Sequence, residues 1–358
     1  MTTSLPRCVR RHRLPAGTRI ALRARAGEEL ACEVLAPLDH GSSSHTHLAR
    51  DDRGRHLVLK SSRWVEAGQV EADLRVEEQV LGQVSSPALI QLLGSGRGPG
   101  GELVFAYERA FPNPLLVLSR PDVRRHFPDP GHRFVPLPPA LTLRLGRDLL
   151  LGIGQLHAQG FVHHDVKLAN LMVRLSAIDP TRQDVPAHEV LSEALAGRAQ
   201  GVLIDLGGAR SLAYLTELAV GRASDDARFV PPQLTPLYAP PEALVGSGSS
   251  GGRVFHSSLD LYAAAVVLYT CATGKLPYEG AAVDFETWDG LPEAKAAEQR
   301  SGLTPLSFTA LRRSPGYAPI AGDLFGLFRA LMHRDPDQRP RARLARQVLE
   351  RLLQALPQ

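Results

Sequence analysis

The chain has 358 residues, 44% of them hydrophobic and 22% charged, which is apolar content enough for a substantial core in one or two domains. Its 41 lysines and arginines against 37 aspartates and glutamates leave a formal charge of +4, small for a dedicated nucleic-acid binder, and no apolar run is long enough to span a membrane. Three widely separated cysteines, Cys8, Cys32 and Cys271, show no metal spacing and no disulfide framework, which fits a reducing, cytoplasmic setting.

Residues 1–29 carry Arg7, Arg10, Arg11 and Arg13 with no apolar stretch behind them, so they read as a basic, partly ordered lead-in and not as a signal peptide. A strand follows over 30–38, then the turn Asp39-His40-Gly41-Ser42-Ser43-Ser44. Asp51-Asp52-Arg53-Gly54 marks a hairpin, and 55–60 reads as a strand that ends in Lys60. Over 69–84, Val70, Leu74, Val80, Leu81 and Val84 form a helical stripe that contains Glu77 and Glu78. Adjacent helix positions point about 100° apart, so only one of these two carboxylates can face a given partner. Strands at 88–93 and 102–106 flank a Gly-rich turn at 94–101 and lead into Tyr107-Glu108-Arg109-Ala110. Residues 111–139, rich in Pro, Arg and His, read as an insertion whose Arg124, Arg125, His126, His132 and Arg133 could hold an acidic peptide.

A helix over 141–159 stops at Gly160 and runs into Phe-Val-His163-His164-Asp165-Val-Lys167-Leu-Ala-Asn170. A carboxylate, an ammonium and an amide this close on a loop suit the holding of a phosphate, a metal ion and a hydroxyl better than the filling of a core. A strand at 171–173 precedes a polar insertion at 176–200 with a short helix near 189–195. Val202-Leu203-Ile204 then reads as a buried strand ending in Asp205-Leu206-Gly207. Further on stand Thr235-Pro-Leu-Tyr-Ala-Pro240-Pro-Glu242, an apolar helix that opens with Ser258-Leu-Asp260, and Asp335-Pro-Asp-Gln-Arg339-Pro. The chain uses Arg almost everywhere. Its four lysines are Lys60, Lys167, Lys275 and Lys295, and its two asparagines are Asn113 and Asn170. Where a compact ammonium must meet phosphate the two cations do not interchange, so Lys60 and Lys167 stand out.

His163–Asn170 resembles the catalytic loop H-R-D-x-K-x-x-N of eukaryotic-type (Hanks-type) serine/threonine protein kinases, and Asp205-Leu206-Gly207 resembles their D-F-G motif. Leu57–Lys60 resembles V-A-I-K, 235–242 resembles T-P-x-Y-x-A-P-E with Pro240 in place of alanine, and 335–340 resembles D-P-x-x-R-P. The Arg, Ala, Gly and Pro bias suits a GC-rich bacterial genome. The resemblance covers about 30–356. It implies an α+β, bilobal fold, with a β-rich N-lobe holding one key helix at about 30–108 and a mainly helical C-lobe at about 111–356. The stretches 111–139 and 176–200 are then insertions.

By the same resemblance, the γ-phosphoryl group of ATP passes to serine or threonine hydroxyls of a protein substrate. Asp165 orients the hydroxyl and accepts its proton, Lys167 stabilises the moving group, and Asn170 and Asp205 hold Mg²⁺ or Mn²⁺. Lys60, oriented by Glu77, fixes the nucleotide phosphates. Gly41 and Ser42 cover them, although only Gly41 matches a glycine of the G-x-G-x-x-G loop, with Asp39 and Ser44 at the other two positions. Backbone groups of Glu108 and Ala110 bind adenine. Thr235 bridges Asp165 and Lys167, Glu242 pairs with Arg339, and Asp260 anchors the loop. Lys167, two residues after Asp165, points to Ser or Thr rather than Tyr.

His164 stands where most regulated kinases have the Arg that collects an activation-segment phosphate. A neutral His, with an ordinary pKa of about 6.5, does this poorly, so weak dependence on such phosphorylation is expected. The thin glycine loop and His164 also allow a pseudokinase that binds nucleotide as a scaffold, against which stand Lys60, Asp165, Asn170 and Asp205. A small-molecule phosphotransferase is opposed by 235–242 and Arg339. No sensor segment is visible, so any sensing falls to a regulatory partner protein.

Overall fold

A computed structural model describes residues 13–40, 44–62, 68–120, 134–213, 215, 234–244, 256–278, 281, 283–284, 287 and 289–357. The chain divides into two compact units, one from Met1–Gln83, Ile90–Ala110 and Ser176–Pro186, the other from Val84–Leu89, Phe111–Leu175 and Ala187–Gln358.

The first unit is a closed antiparallel barrel in the order β1-β2-β3-β4-β6-β5, from β1 (Arg19–Ala24), β2 (Glu29–His40), β3 (Ser44–Asp51), β4 (His56–Ser62), β5 (Leu92–Arg97) and β6 (Leu103–Glu108). Ile20, Leu22, Val34, Leu57, Leu59 and Val104 fill its interior. The sheet starts earlier than the sequence reading expects, because β1 lies inside the stretch taken as a lead-in. Its residues alternate, with Ile20 and Leu22 buried and Arg19, Ala21 and Arg23 exposed, the two-residue period of a strand. Across from it, Arg19 faces Glu33 and Arg23 faces Glu29, favourable cross-strand charge pairs.

β5 also departs from expectation. The strand sits at 92–97 and takes in Gly94 and Gly96, which the sequence reading gives to a turn. A Cβ at Gly94 would lie 2.9 Å from the Arg23 carbonyl oxygen, and one at Gly96 2.9 Å from a Leu22 methyl. Glycine is what lets β5 close the barrel against β1. Ala88 and Leu89, read as the start of that strand, fall with the rest of 84–89 in the second unit, where Ala88 accepts a hydrogen bond from the Leu203 amide at 2.9 Å.

Helix α1 (Gly68–Gln83) buries Leu74, Glu77, Val80 and Leu81 along one face. The segment 176–186, read as a surface insertion, is strapped onto the first unit. The His56 amide donates to Pro180 O at 2.8 Å, and the Arg109 guanidinium donates to Arg182 O at 2.6 Å and Gln183 O at 2.8 Å.

The second unit is mainly helical. Helix α2 (Pro114–Leu118) lies in the stretch read as the 111–139 insertion, yet it buries Pro114, Leu115, Val117 and Leu118. Asn113 caps it by accepting from the Leu115 amide at 2.9 Å. The cations expected to hold an acidic peptide, at 124–133, lie outside the described residues. There follow α3 (Pro139–Ala158), β7 (Phe161–Val162), β8 (Leu171–Leu175), α4 (Ala187–Leu195), β9 (Ala199–Leu203) and β10 (Arg210–Ser211). The helices α5 (Pro241–Leu244), α6 (Ser258–Thr273), α7 (Leu291–Ser301), α8 (Phe308–Arg313), α9 (Ala321–Leu331) and α10 (Ala342–Ala355) complete the chain.

All 16 residues of α6 are buried, as befits a helix apolar on every side. Its Thr270 and Thr273 hydroxyls bond back to Val266 O and Tyr269 O at 2.9 and 2.8 Å, which satisfies them without an outside partner. Gly274 ends the helix in the left-handed region at φ +67. This buried rod carries Asp260 in its first turn.

Candidate active site

The catalytic-loop motif hangs from α6. Asp260, 1% exposed, accepts the amides of His163 and His164 at 2.8 and 2.9 Å, and its carboxylate also contacts His157 Nε2 at 2.9 Å. Two main-chain donors on one buried carboxylate fix where the next residue emerges. His164 takes a left-handed backbone, φ +66, and its ring is buried. Burial pushes its pKa down to about 4, with Arg210 and His163 lowering it further and Asp260 opposing. The ring is therefore neutral near pH 7.

Asp165 follows. Its Oδ1 accepts from the Thr235 hydroxyl at 2.6 Å, and its Oδ2 from Lys167 Nζ at 2.6 Å. Lys167 Nζ also reaches the Thr235 hydroxyl, at 3.5 Å. Asn170 sits in a single 3-10 turn, Leu168–Asn170, and its Nδ2 donates to Asp165 O at 2.9 Å and Oδ2 at 3.2 Å. The Asn170 carbonyl accepts the Ile204 amide at 2.9 Å, which ties the loop to the chain leaving β9. One residue later Asp205 stands in the left-handed region, φ +64. Left-handed backbone is unfavourable for non-glycine residues and collects at functional sites.

The oxygens of Asn170 and Asp205 are hard ligands. Among the described residues no group of three or more His, Cys, Asp or Glu side chains could hold a metal by itself. A divalent ion held by two protein oxygens, with phosphate and water completing its shell, matches the habit of Mg²⁺. The donor set fits that ion.

In the first unit, Lys60 Nζ pairs with Glu77 at 2.8 Å, and Glu77 is 1% exposed. Glu78 turns instead to the Ser95 hydroxyl at 2.5 Å and to Arg75 at 2.8 Å. Glu108, at the end of β6, exchanges hydrogen bonds with Gln91, amide to carbonyl at 3.0 Å and carboxylate from amide at 2.9 Å. Ala110, half-buried, ends this stretch of the unit. Gly41 and Ser42 lie outside the described residues, as do Tyr214 and 216–233 of the activation segment.

The segment is described again from Leu234. Glu242 and Arg339 form a two-pronged buried pair at 2.7 and 3.1 Å, the geometry that suits guanidinium and carboxylate. Arg339 Nε also donates to His333 O at 2.8 Å.

Sequence reasoning missed several supports. His157 touches Asp260 from α3. Asp148, 3% exposed, accepts the Gly201 amide at 2.9 Å and so fixes β9. A buried group around Lys295 lies beneath 237–239. For Lys295 a signal existed, since it is one of only four lysines. The other two act on partners far away in sequence, His157 on Asp260 and Asp148 on Gly201.

A profile of the protein kinase domain family matches residues 32–351. Among characterised proteins, the chain is 24% identical over 313 residues to the serine/threonine-protein kinase pkn2 of Myxococcus xanthus, an overlap of 86% of this chain and 31% of that protein. It is 28% identical over 281 residues to pkn3 of the same organism, covering 76% of this chain and 42% of that protein. Against the serine/threonine-protein kinase PknB of Mycobacterium leprae it is 26% identical over 246 residues, 68% of this chain and 32% of that protein. The chain spans less than half the length of each of these relatives.

Proposed function

The chain belongs to the protein kinase family, and on that premise we propose that it transfers the γ-phosphoryl group of ATP to serine and threonine hydroxyls of protein substrates. The observation that carries this reading is the triangle of Asp165, Lys167 and Thr235, with both carboxylate oxygens engaged at 2.6 Å. Phosphoryl transfer asks for positioning and charge stabilisation more than for covalent chemistry. Asp165, held through the Asp260 anchor, orients the incoming hydroxyl and takes up its proton. Lys167 offers its ammonium to the oxygens of the moving group. Thr235 ties the activation segment to the same carboxylate, a link that favours a protein acceptor over a small metabolite.

Lys60, held by Glu77, fixes the nucleotide phosphates. Gly41 and Ser42 cover them, and backbone groups of Glu108 and Ala110 take the adenine. Asn170 and Asp205 hold Mg²⁺ or Mn²⁺, which when bound neutralises phosphate charge. Cytoplasmic placement is part of the proposal. It draws on buried, unbridged Cys32 and Cys271, whose thiols burial raises to about 11 and about 12. Among the described residues no helix is long and apolar enough to cross a membrane.

The test is incubation with labelled ATP and Mg²⁺ or Mn²⁺ and a generic basic protein acceptor, beside Asp165→Asn. Label on serine or threonine in the wild type and none in the variant is the expected outcome. Label on a small metabolite but on no protein would sink the reading. ATP-dependent thermal stabilisation with no transfer to any acceptor would replace it with a nucleotide-binding scaffold.

A further inference from the structure

Lys295 is 0% exposed. A buried ammonium costs several kcal/mol unless it is paired, so its partners show what holds it there. Its Nζ donates to Leu237 O at 3.3 Å and, at short range, to Ala239 O. The rings of Tyr262 and Tyr278 each lie 5.0 Å away, at cation–π distance. Glu298, one turn along α7, supplies the counter-charge. It accepts from the Tyr262 hydroxyl at 2.9 Å and, at short range, from that of Tyr278. From above, Leu237 packs on Leu276, Tyr278 and Leu291.

The carbonyls that Lys295 grips belong to a tight turn. The amides of Tyr238 and Ala239 both fold back onto Thr235 O, at 3.0 and 3.1 Å. Thr235 is the residue whose hydroxyl meets Asp165. One continuous set of bonds therefore runs from the buried ammonium through 237–239 to the carboxylate. Among the described residues three non-glycine residues have left-handed backbone. His164 lies in the catalytic loop, Asp205 opens the 205–207 motif, and the third is Tyr278.

We propose that Lys295 is a positioning residue for the protein acceptor. By clamping the Leu237 and Ala239 carbonyls it sets the surface of 235–239 beside Asp165, so its loss weakens acceptor binding and leaves nucleotide binding intact. The proposal rests on the kinase reading above and names a further residue of that same site.

Burial lowers the Lys295 pKa to about 8, with Glu298 and Glu242 raising it and Arg339 lowering it. Tyr262 and Tyr278 stay neutral, since burial raises both hydroxyls. The clamp is mostly charged at pH 7 and loses its charge as pH rises through about 8.

The experiment measures KM for acceptor and for ATP in the wild type, Lys295→Met and Lys295→Gln, with Asp165→Asn as the blank. Hydrogen exchange at the Tyr238 and Ala239 amides is followed in parallel. For Lys295→Met we expect acceptor KM to rise by about tenfold or more, the scale of a lost charge-assisted hydrogen bond. ATP KM should hold, and both amides should exchange faster while α6 stays protected. Lys295→Gln keeps a donor and should fall between. In the wild type, acceptor KM should climb from pH 7 to 9, and it should be flatter in Lys295→Gln. Acceptor KM within twofold of wild type in Lys295→Met, equal shifts in both KM values, or unchanged amide exchange would each overturn the clamp. If Lys295→Met does not fold, an acceptor KM within twofold of wild type in Lys295→Gln, or unchanged Tyr238 and Ala239 amide exchange in that variant, does so. Wild-type label no greater than the Asp165→Asn blank would instead overturn the kinase reading, and the exchange arm would still decide whether Lys295 holds 235–239.

Discussion

His164 shows how one buried side chain fixes both a regulatory expectation and a pH dependence. With its pKa near 4 it carries no charge at neutral pH and cannot gather a phosphate as an arginine would. Replacing Ser211, Tyr214, Thr216 and Ser224 together by Ala or Phe should leave at least half of the transfer activity, measured on a protein acceptor. Loss of activity in that variant would mean that a modified activation segment is required after all. The same depressed pKa bears on stability. The unfolded chain binds a proton at this position near pH 6.5, but the folded chain resists it until about pH 4. The His164 share of stability is therefore whole above pH 6.5 and is lost as pH falls toward 4, by about 3 kcal/mol at the end of that range. Urea unfolding between pH 4 and 7 should show a shallower acid limb in His164→Asn, a neutral residue that tolerates left-handed backbone. Residues of this kind were legible in the sequence because the motif is short and contiguous. The scarcity of lysine marked Lys295, but its role was not legible, since 237–239, Tyr262 and Tyr278 come from other elements that no local pattern joins to it.

At the scale of elements, α6 and its end carry much of the order of the second unit. A Cβ on Gly274 would sit 2.2 Å from the Phe134 carbonyl oxygen, at a backbone angle that already disfavours a side chain. Gly274→Ala should cost about 2 kcal/mol or more in urea unfolding. A loss below about 0.5 kcal/mol would mean that the 134–136 stretch yields easily. The Glu242–Arg339 pair joins α5 to the chain before α10. Arg339→Leu leaves a buried carboxylate alone and should lower stability by about 3 kcal/mol, with Arg339→Lys intermediate because it keeps charge but loses the fork. Among elements, the long periodic ones were the readable ones. The helices at 68–83, 139–158 and 258–273 were expected within a residue or two, because a stripe or an unbroken apolar run fixes them locally. β1 and β5 were misread for a shared reason. Each depends on the other to close the barrel, through Arg23 opposite Ser95 and Ala24 opposite Gly94. A strand whose glycines exist to admit a distant partner looks like a turn when that partner is not known. The buried α2 hid in a Pro-rich stretch for a similar reason, since its burial is decided by tertiary packing.

At the scale of the whole molecule, the chain passes from one unit to the other at 84, 90, 111, 176 and 187. The strap 176–186 is the least expected of these passages, and Arg109 latches it through two carbonyls. Arg109→Ala should expose 181–186 to limited proteolysis, with cleavage there several times faster than in the wild type and the barrel amides still protected. Equal cleavage rates would show that the His56–Pro180 bond suffices alone. These repeated passages also set a timetable for synthesis. As the chain leaves the ribosome, the six strands of the barrel can pair once residue 108 has emerged, but the last piece of that unit arrives only with residue 186. By then β7 and β8 of the other unit are already out. The first-made unit is therefore finished by a segment made after much of the second, and the two cannot mature strictly one after the other.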